Sequence, residues 1–596
     1  MRRSGTKARW GVAAVLGLLM VPCAAAQAQA QRTINVVSFP SPDASSASPK
    51  SEISFRGTGA TPAALKGVVV TGSRTGTHGG VLKAHADGHG VSFVPVHQFA
   101  SGERVRVRVP AGVRVLGGDG RIDEFTTAQI VAGYATQGAS GAPAGDGPFA
   151  ELKSRPDLAP PTITALTSAP GQQPGDILIA PKLGTGQGGP MIVDSQGTPL
   201  WFQPLPAGIR ATDFREQTYQ GKPVLTWWQG AARGGSGRGE GVIADASYRI
   251  IKTVKAGNGL AADLHEFALT DHDTALLISY VPVRRNLGAI GSPVGGIAVD
   301  GVAQEVELST GRVRFEWHSL DHVAISDTDL PRTNSTKAPF DYFHMNSFNV
   351  DPDGGYVVSG RHVSTVYKLD FAGDVQWRLG GKSGTIKLGP GVHFDLQHNA
   401  LGHGDGEYTI FDNSAEGTRK ASRALTVHVD AVHHTATLVR ALTHPDNVLA
   451  ATQGNVQLLD GGDTLVGWGS QGRVSEFSAS GQLLLDLKLP KGYDTYRAYR
   501  FPWVGTPVTK PRVVASARGA RTAVYVSWNG STETASWTML AGASASQLAP
   551  VKVTRRTGLE TASSVPTAAR YVAAQAVDAG GKVLSQSAAV RVAGRK

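Results

Sequence analysis

Three histidines occupy matched positions in a repeated pattern, and they are the residues best suited to chemistry. His265, His344 and His398 each stand just before or within a short loop that leads into an apolar strand. The chain has 17 histidines in 596 residues, so three at equivalent places in separate repeats are unlikely to coincide by chance. Three gathered imidazoles can hold a metal such as zinc with one open position. Alternatively, one can act as a nucleophile while the others orient or protonate.

Arg361 bears on the choice between these two kinds of site. It ends the strand that follows His344, where it can reach the same histidines. A permanent cation would repel a divalent metal, but its planar fork suits an oxyanion or a sulfate-like group. Asn346 adds neutral donors. These residues favour an anion-transfer pocket and leave a metal-dependent lyase or hydrolase as the alternative.

The elements that must position these residues are repeated β-hairpins. Each copy has an alternating strand, a short polar turn that usually contains glycine, and a second strand that often ends in an aromatic residue. Six copies recur, at 191–201, 242–251, 306–317, 366–377, 425–439 and 474–485. With further strands between them, they predict a six-bladed β-propeller over 171–507, in which equivalent inner positions converge on the axis. A large sandwich or an irregular β protein is the alternative.

The flanking segments predict β-sandwiches, so the expected fold class is all-β. Short alternating strands over 31–130 are typical of an immunoglobulin-like sandwich, and a Gly- and Pro-rich stretch over 131–170 predicts a linker. Alternation returns over 508–596, which indicates a fibronectin-III-like or immunoglobulin-like sandwich.

The first 30 residues predict a secretory signal peptide. A positive start precedes an apolar stretch, and Ala28-Gln29-Ala30 supplies a cleavage site. We therefore expect a periplasmic or extracellular protein. The single cysteine, Cys23, falls inside this signal, so we expect no disulfide and no cysteine metal site. No other segment is apolar and long enough to span a bilayer.

The net charge of +11 is spread along the chain, with some clustering near Arg497 and Arg500. The simplest interpretation is a solvated basic surface, and a basic pocket for an anionic substrate is the alternative. No motif indicates nucleic-acid binding.

The segments around these residues resemble the bacterial arylsulfotransferase family. The resemblance rests on the segments 263–267, 344–351 with Arg361, 397–398 and 496–500, and it covers about 174–504. It implies a six-bladed propeller that moves a sulfuryl group from an aryl sulfate ester to a phenol, without a cofactor or a nucleotide-activated sulfate. Carried over by position, His398 would become transiently sulfated and His344 would act as general acid and base. His265, Asn346 and Arg361 would bind the sulfuryl oxygens.

Further expectations concern the kinetics, the walls of the substrate site and the alternative functions of the fold. Ping-pong kinetics follows from a covalent intermediate. Phenols need flat apolar walls, for which the candidates are Trp227, Trp228, Tyr280, Trp468 and Tyr496, although packing within the blades is the simpler role for most of them. Because fold does not decide function, a non-catalytic extracellular binding protein remains an alternative. A quinone-dependent dehydrogenase has no support beyond the fold.

Overall fold

The computed structural model describes residues 33–131, 148–184, 186–414 and 420–595. The predicted signal peptide and part of the predicted linker lie outside these residues. The described chain consists mainly of β-strands, which confirms the all-β class, and no helix in it is long and apolar enough to cross a membrane. Its helical segments are the α-turn Ser319–His322 and the 3-10 turns Gly288–Ile290, Ile325–Asp327, Arg361–Val363, Asp460–Gly462 and Gly469–Gln471.

Six sheets fill the centre of the chain, and we number them in chain order. Sheets 2, 3 and 4 are each built from four consecutive antiparallel strands. The strands of sheet 2 are Arg210–Tyr219, Lys222–Arg233, Ser236–Ala244 and Ile250–Val254. Those of sheet 3 are Phe267–Leu269, Thr274–Arg285, Gly296–Glu307 and Val313–His318. Those of sheet 4 are Met345–Val350, Tyr356–Gly360, Thr365–Leu369 and Val375–Gly380.

Sheets 1 and 6 each include a strand from a distant part of the chain, and sheet 5 has a fifth strand at its edge. Sheet 1 joins the late strand Ala498–Phe501 to Asp176–Ile179, Met191–Val193 and Pro199–Phe202. Sheet 5 contains His398–Gly404, Glu407–Asp412, Arg423–Asp430 and Thr435–Thr443, with the short parallel strand Lys387–Leu388 at its edge. Sheet 6 contains Asn455–Leu458, Thr464–Gly467, Arg473–Phe477 and Leu483–Lys488, with Thr164–Ser168 at its edge.

The six sheets contact one another in order. Each sheet contacts the next one through an edge strand, or through the strand beside that edge strand. Sheet 6 contacts sheet 1 in the same way. The six predicted hairpins are present as antiparallel pairs in the six sheets. Because the repeats are equivalent, the segments just before the first strands of sheets 3, 4 and 5 come together.

Apolar side chains fill the spaces between neighbouring sheets. Between sheets 3 and 4, the rings of Phe315 and Phe348 stack with centroids 5.9 Å apart. The ring of Tyr356 completes the cluster, 4.3 Å from Phe315 and 5.1 Å from Phe348. All three side chains are buried. Burying an aromatic side chain of this size contributes roughly 1.5–3 kcal/mol. Packing between sheets therefore fixes the loops that carry the histidines.

The predicted linker differs from the structure in its second half. Thr164–Ser168 pairs with Leu483–Lys488 as a strand, and Leu152, Leu158 and Ile163 are buried against sheets 1 and 6. The proline-rich composition concealed these apolar residues, which find a partner surface only in the folded chain.

Strands on either side of the central sheets form further sheets around their own cores. The N-terminal strands are Ile34–Phe39, Ile53–Arg56, Val69–Gly72, Gly76–His78, Gly80–Ala84, Gly90–Pro95, Arg104–Arg108, Val113–Val115 and Ile122–Thr126. They form one sheet of five strands and one of four. The C-terminal strands are Arg512–Arg518, Arg521–Ser527, Ser536–Ser544, Gln547–Arg555, Glu560–Val565, Tyr571–Val577, Val583–Gln586 and Val590–Arg591.

Candidate active site

A cavity of about 520 Å³ holds all three predicted histidines in its wall. Arg361 lines the same cavity, and so do several residues that the sequence did not single out for chemistry. The ring centroids of His265 and His344 lie 4.9 Å apart. The ring of Tyr496 lies near both His265 and His398, with centroid distances of 5.5 and 6.3 Å. The convergence expected from the repeats is therefore present.

The hydrogen bonds of His398 define its tautomer. The backbone N–H of Gln453 donates to His398 Nε2 at 3.1 Å, so Nε2 carries a lone pair and the ring proton is on Nδ1. Nδ1 donates to Asn413 Oδ1 at 2.7 Å. The orientation of the Asn413 amide is fixed in turn, since its Nδ2 donates to the carbonyls of Ala450 and Gln453 at 2.7 and 3.0 Å.

The charge state of His398 follows from its surroundings. Burial and then the nearby Arg361 guanidinium hold the pKa of His398 well below the usual 6.5. The imidazole is thus neutral at physiological pH, and its Nε2 lone pair accepts the hydrogen bond from the Gln453 N–H. A neutral, oriented imidazole that lines a cavity is the form required of a nucleophile.

Local chain geometry turns the His398 ring toward the cavity. His398 begins the first strand of sheet 5, where the register against Glu407–Asp412 shifts between His398 and Leu401. Asn399, at φ 48°, occupies the left-handed region that asparagine tolerates better than most residues. A β-bulge of this kind redirects the side chain at its start.

His344 is paired with a carboxylate. Its Nδ1 donates to Asp341 Oδ2 at 2.6 Å, and its backbone N–H donates to Asp341 Oδ1 at 3.1 Å. The carboxylate fixes the ring and leaves Nε2 to exchange protons with a ligand. A second imidazole, His362, lies beside it with ring centroids 4.6 Å apart. Burial and the neighbouring His344 lower the pKa of His362 to about 3.

His265 is also paired with a carboxylate, that of Asp263, through Nδ1. Burial lowers the pKa of His265 below 6.5, although Asp263 opposes this shift. The neutral ring keeps its proton toward Asp263 and presents a lone pair at Nε2. His265 can therefore donate to an anion only after it gains a proton, and a bound anion favours that gain.

Arg361 and Asn346 occupy different places. Arg361 starts the turn after Tyr356–Gly360, lines the cavity, and donates from Nη2 to the carbonyl of Ala451 at 3.1 Å. Asn346 is fully buried outside the cavity wall, and its Nδ2 donates to the carbonyl of Gln397 at 2.7 Å. The position of Asn346 therefore does not agree with the contact to sulfuryl oxygens that the resemblance implied. A register shift between Met345 and Ser347 breaks the alternation that would have put it beside His344.

Of the five candidate aromatic walls, Tyr496 lines the cavity. Tyr280 stacks behind His265, with centroids 5.4 Å apart, and donates its hydroxyl to the carbonyl of Met345. The three tryptophans are buried among the sheets, as the simpler interpretation expected.

The sequence reasoning missed a group of charged residues in the cavity wall. Lys182 is buried against Asp494, and its Nζ donates to Gln453 Oε1 at 2.9 Å. Burial lowers the pKa of Lys182 from its usual 10.5, and Asp494 opposes this. Arg210 begins the first strand of sheet 2 and faces the same space. Lys182 lies in a loop without periodicity, so no pattern marked it, whereas the Asp341–His344 and Asp263–His265 spacings were readable signals.

An ion network lies buried beneath the cavity. Arg497 donates to Asp213 at 2.9 Å and to both oxygens of Glu266 at 3.0 Å. Arg215 also bonds Glu266 at 2.8 Å. Arg497 and Arg500 are 1% and 3% exposed, so the predicted solvated basic surface is wrong at these two positions. Carboxylates from other sheets neutralise both arginines.

The alternative metal site would be formed by residues other than the three predicted histidines. Among the residues that the structure describes, the ligand atoms close enough to share one ion in this cavity belong to Asp341, His344 and His362. The three predicted histidines do not form such a group there. His398 in particular has both ring nitrogens engaged in hydrogen bonds.

A family model described as arylsulfotransferase (ASST) matches residues 215–489, just under half of the chain, which confirms the resemblance to that family. The three histidines and Arg361 fall inside the matched segment. The family supports arylsulfotransferase-type activity and small aryl compounds as substrates. No curated protein matches the chain.

Several solved structures show distant likenesses. A protein of unknown function from Bacteroides caccae is 12% identical over 55% of this chain and 100% of its own, with a TM-score of 0.33. A virginiamycin B lyase from Staphylococcus aureus is 9% identical over 61% and 94%, with a TM-score of 0.26. An auxiliary nutrient binding protein from Bacteroides ovatus is 10% identical over 79% and 92%, with a TM-score of 0.27. At these scores the likenesses carry no argument about fold or chemistry.

Proposed function

We propose that this protein transfers a sulfuryl group from an aryl sulfate ester to a phenol through a transient sulfohistidine at His398. Its six central sheets act as the blades of a propeller that closes where Ala498–Phe501 joins sheet 1, with sandwich domains before and after it. The signal peptide over 1–30 directs the chain out of the cytoplasm. The route needs no nucleotide-activated sulfate, and each product leaves before the next substrate reacts.

In the first half-reaction, the lone pair on His398 Nε2 attacks the sulfur of the ester. An N–S bond forms, the bond between sulfur and the aryl oxygen breaks, and the electron pair leaves on the phenolic oxygen. The protonated form of His344, stabilised by Asp341, gives that oxygen a proton from Nε2. The free phenol then leaves the cavity.

The second half-reaction reverses these steps. The acceptor phenol gives its proton to His344, its oxygen attacks sulfur, and the N–S bond breaks. The electron pair returns to His398 Nε2. The same residue serves as acid in one step and as base in the other.

The sulfuryl oxygens need donors where charge collects in the transition state. Arg361 is the permanent cation that acts most strongly on the nucleophile, and a protonated His265 adds a second donor. The N–H of Gln453, which meets Nε2 in the resting site, is freed when Nε2 bonds to sulfur and then faces a sulfuryl oxygen. Asn346 lies outside the cavity, where its hydrogen bond holds the carbonyl of Gln397, the residue before the nucleophile.

One observation carries this proposal: a buried, neutral histidine lines a cavity beside Arg361, and its Nε2 lone pair is oriented by the N–H of Gln453. The test is nitrophenolate release from 4-nitrophenyl sulfate, with and without phenol, by the mature wild-type protein and His398→Ala. His403→Ala is a matched control, because His403 lies on the same strand and bonds Thr409 outside the cavity.

We expect release that depends on phenol, is lost in His398→Ala, persists in His403→Ala and is indifferent to EDTA. Release blocked by EDTA would move the chemistry to a metal held by Asp341, His344 and His362. No release with any phenol would overturn the transferase proposal and favour a binding protein.

A further inference from the structure

Several cationic side chains line the cavity, those of Lys182, Arg210, Arg233 and Arg361. The carboxylates in the lining are Asp341 and Asp494. The ester group of an aryl sulfate carries one negative charge, and the proposed function places that charge beside Arg361. The proposed function gives no role to Arg210, which lines the same wall.

Three of these cations are related to His398 or to one another. Arg361 is the charge that acts most strongly on His398. Gln453 connects His398 to Lys182, since its backbone N–H bonds His398 Nε2 and its side-chain oxygen accepts from Lys182 Nζ at 2.9 Å. Arg210 lies near Lys182, close enough for its charge to lower the Lys182 pKa.

Lys182 is already neutralised, but Arg210 is not. Lys182 pairs with Asp494, whose other oxygen accepts from Gln453 Nε2 at 2.9 Å. Arg210 is partly exposed at the start of its strand, and it forms no ion pair with any acidic residue in the described part of the chain. Its guanidinium is therefore available to a ligand in the cavity.

From this geometry we infer that the preferred phenol carries a second anionic group, of the carboxylate type, which Arg210 binds at the end of the cavity away from His398. This inference rests on the proposed function. With sulfur at His398 and Arg361, the aromatic ring lies along the Gln453 and Lys182 wall, and the substituent at its far end meets Arg210. A cavity of about 520 Å³ has room for more than a simple phenol.

The experiment compares two acceptors, 4-hydroxyphenylacetate and its methyl ester, with 4-nitrophenyl sulfate as donor. The methylene group separates the carboxylate from the ring, so the acidity of the phenol is nearly the same in both compounds. We expect wild type to favour the carboxylate in kcat/KM by about tenfold, as for a charge-assisted hydrogen bond. Arg210→Gln should lose this preference while keeping its rate with the ester, and Arg210→Lys should keep part of it.

Lys222→Gln is the matched control, because it removes one positive charge at the opposite end of the same hairpin, outside the cavity. It should keep the preference. Added salt should reduce the preference in wild type, since Arg210 is partly exposed. Equal use of both acceptors by wild type, or an unchanged preference in Arg210→Gln, would overturn the inference and leave sulfuryl transfer intact.

Calorimetric binding of the two acceptors without donor separates this inference from the proposed function. Tighter binding of 4-hydroxyphenylacetate that disappears in Arg210→Gln supports the anion subsite even if no transfer occurs. Binding that Arg210→Gln does not weaken, or no binding of the carboxylate compound at all, refutes it.

Discussion

Replacing Asn413 with leucine tests whether the orientation of His398 matters. Asn413 is fully buried, accepts from His398 Nδ1 at 2.7 Å, and donates to the carbonyls of Ala450 and Gln453. Leucine has a similar size but leaves His398 Nδ1 and the carbonyls of Ala450 and Gln453 without the hydrogen bonds of Asn413. An unsatisfied buried group costs about 1–3 kcal/mol. The Ala450 carbonyl keeps a bond from Ser422 at 3.3 Å, so we expect a loss of about 3 kcal/mol in the free energy of unfolding.

The effect on activity should exceed this structural one. Without Asn413 the proton of His398 is no longer held on Nδ1, and the ring can turn its lone pair away from the cavity. A misplacement of about 1 Å in a reacting group can lower the rate about 100-fold, which is the loss in kcat/KM that we expect. Nitrophenolate release gives this rate, and urea unfolding gives the stability.

Asn455→Leu is the matched control for this variant. Asn455 is equally buried, and its amide bonds the backbone of Ala498 at 2.8 and 2.9 Å without touching a histidine. It should lose comparable stability but little activity. If folded Asn413→Leu and folded Asn455→Leu have the same kcat/KM, the orientation argument is wrong.

Two further predictions concern charge. Because the pKa of His398 lies well below 6.5, the nucleophile stays neutral as the pH falls through 6.5, so the rate of the donor half-reaction should show no acid limb there in a stopped-flow pH profile. Arg361→Gln removes one cause of that low pKa and should move the acid limb to higher pH; an unmoved limb would refute this cause. Arg497→Met should lose about 3–5 kcal/mol in urea unfolding, since Arg215 alone would face the two buried carboxylates of Asp213 and Glu266 and one negative charge would be left uncompensated. A variant as stable as wild type would contradict that role.

The hairpin repeats and the convergence of the histidines could be predicted from the sequence. Alternation and glycine turns are local signals, and the relation between repeats turns local equivalence into proximity. His265, His344 and His398 meet in one cavity for this reason.

The failures came from contacts between distant segments. Arg497 looked like surface charge, but its partners Asp213 and Glu266 stand 284 and 231 positions away. A charge is buried only when such partners exist, and a single segment does not reveal them. Asn346 shows the same limit on a smaller scale, because one irregular position in its strand turns it away from the cavity.

The most direct test of the central claim is to mix the protein with 4-nitrophenyl sulfate in the absence of any acceptor. We expect a burst of one nitrophenolate per active site and one added SO₃ group on His398, located by fragmentation of the tryptic peptide 388–419. That peptide also holds His393 and His403, which serve as internal controls. Later addition of phenol should remove the group. No burst, or an SO₃ group on another residue, would contradict the account.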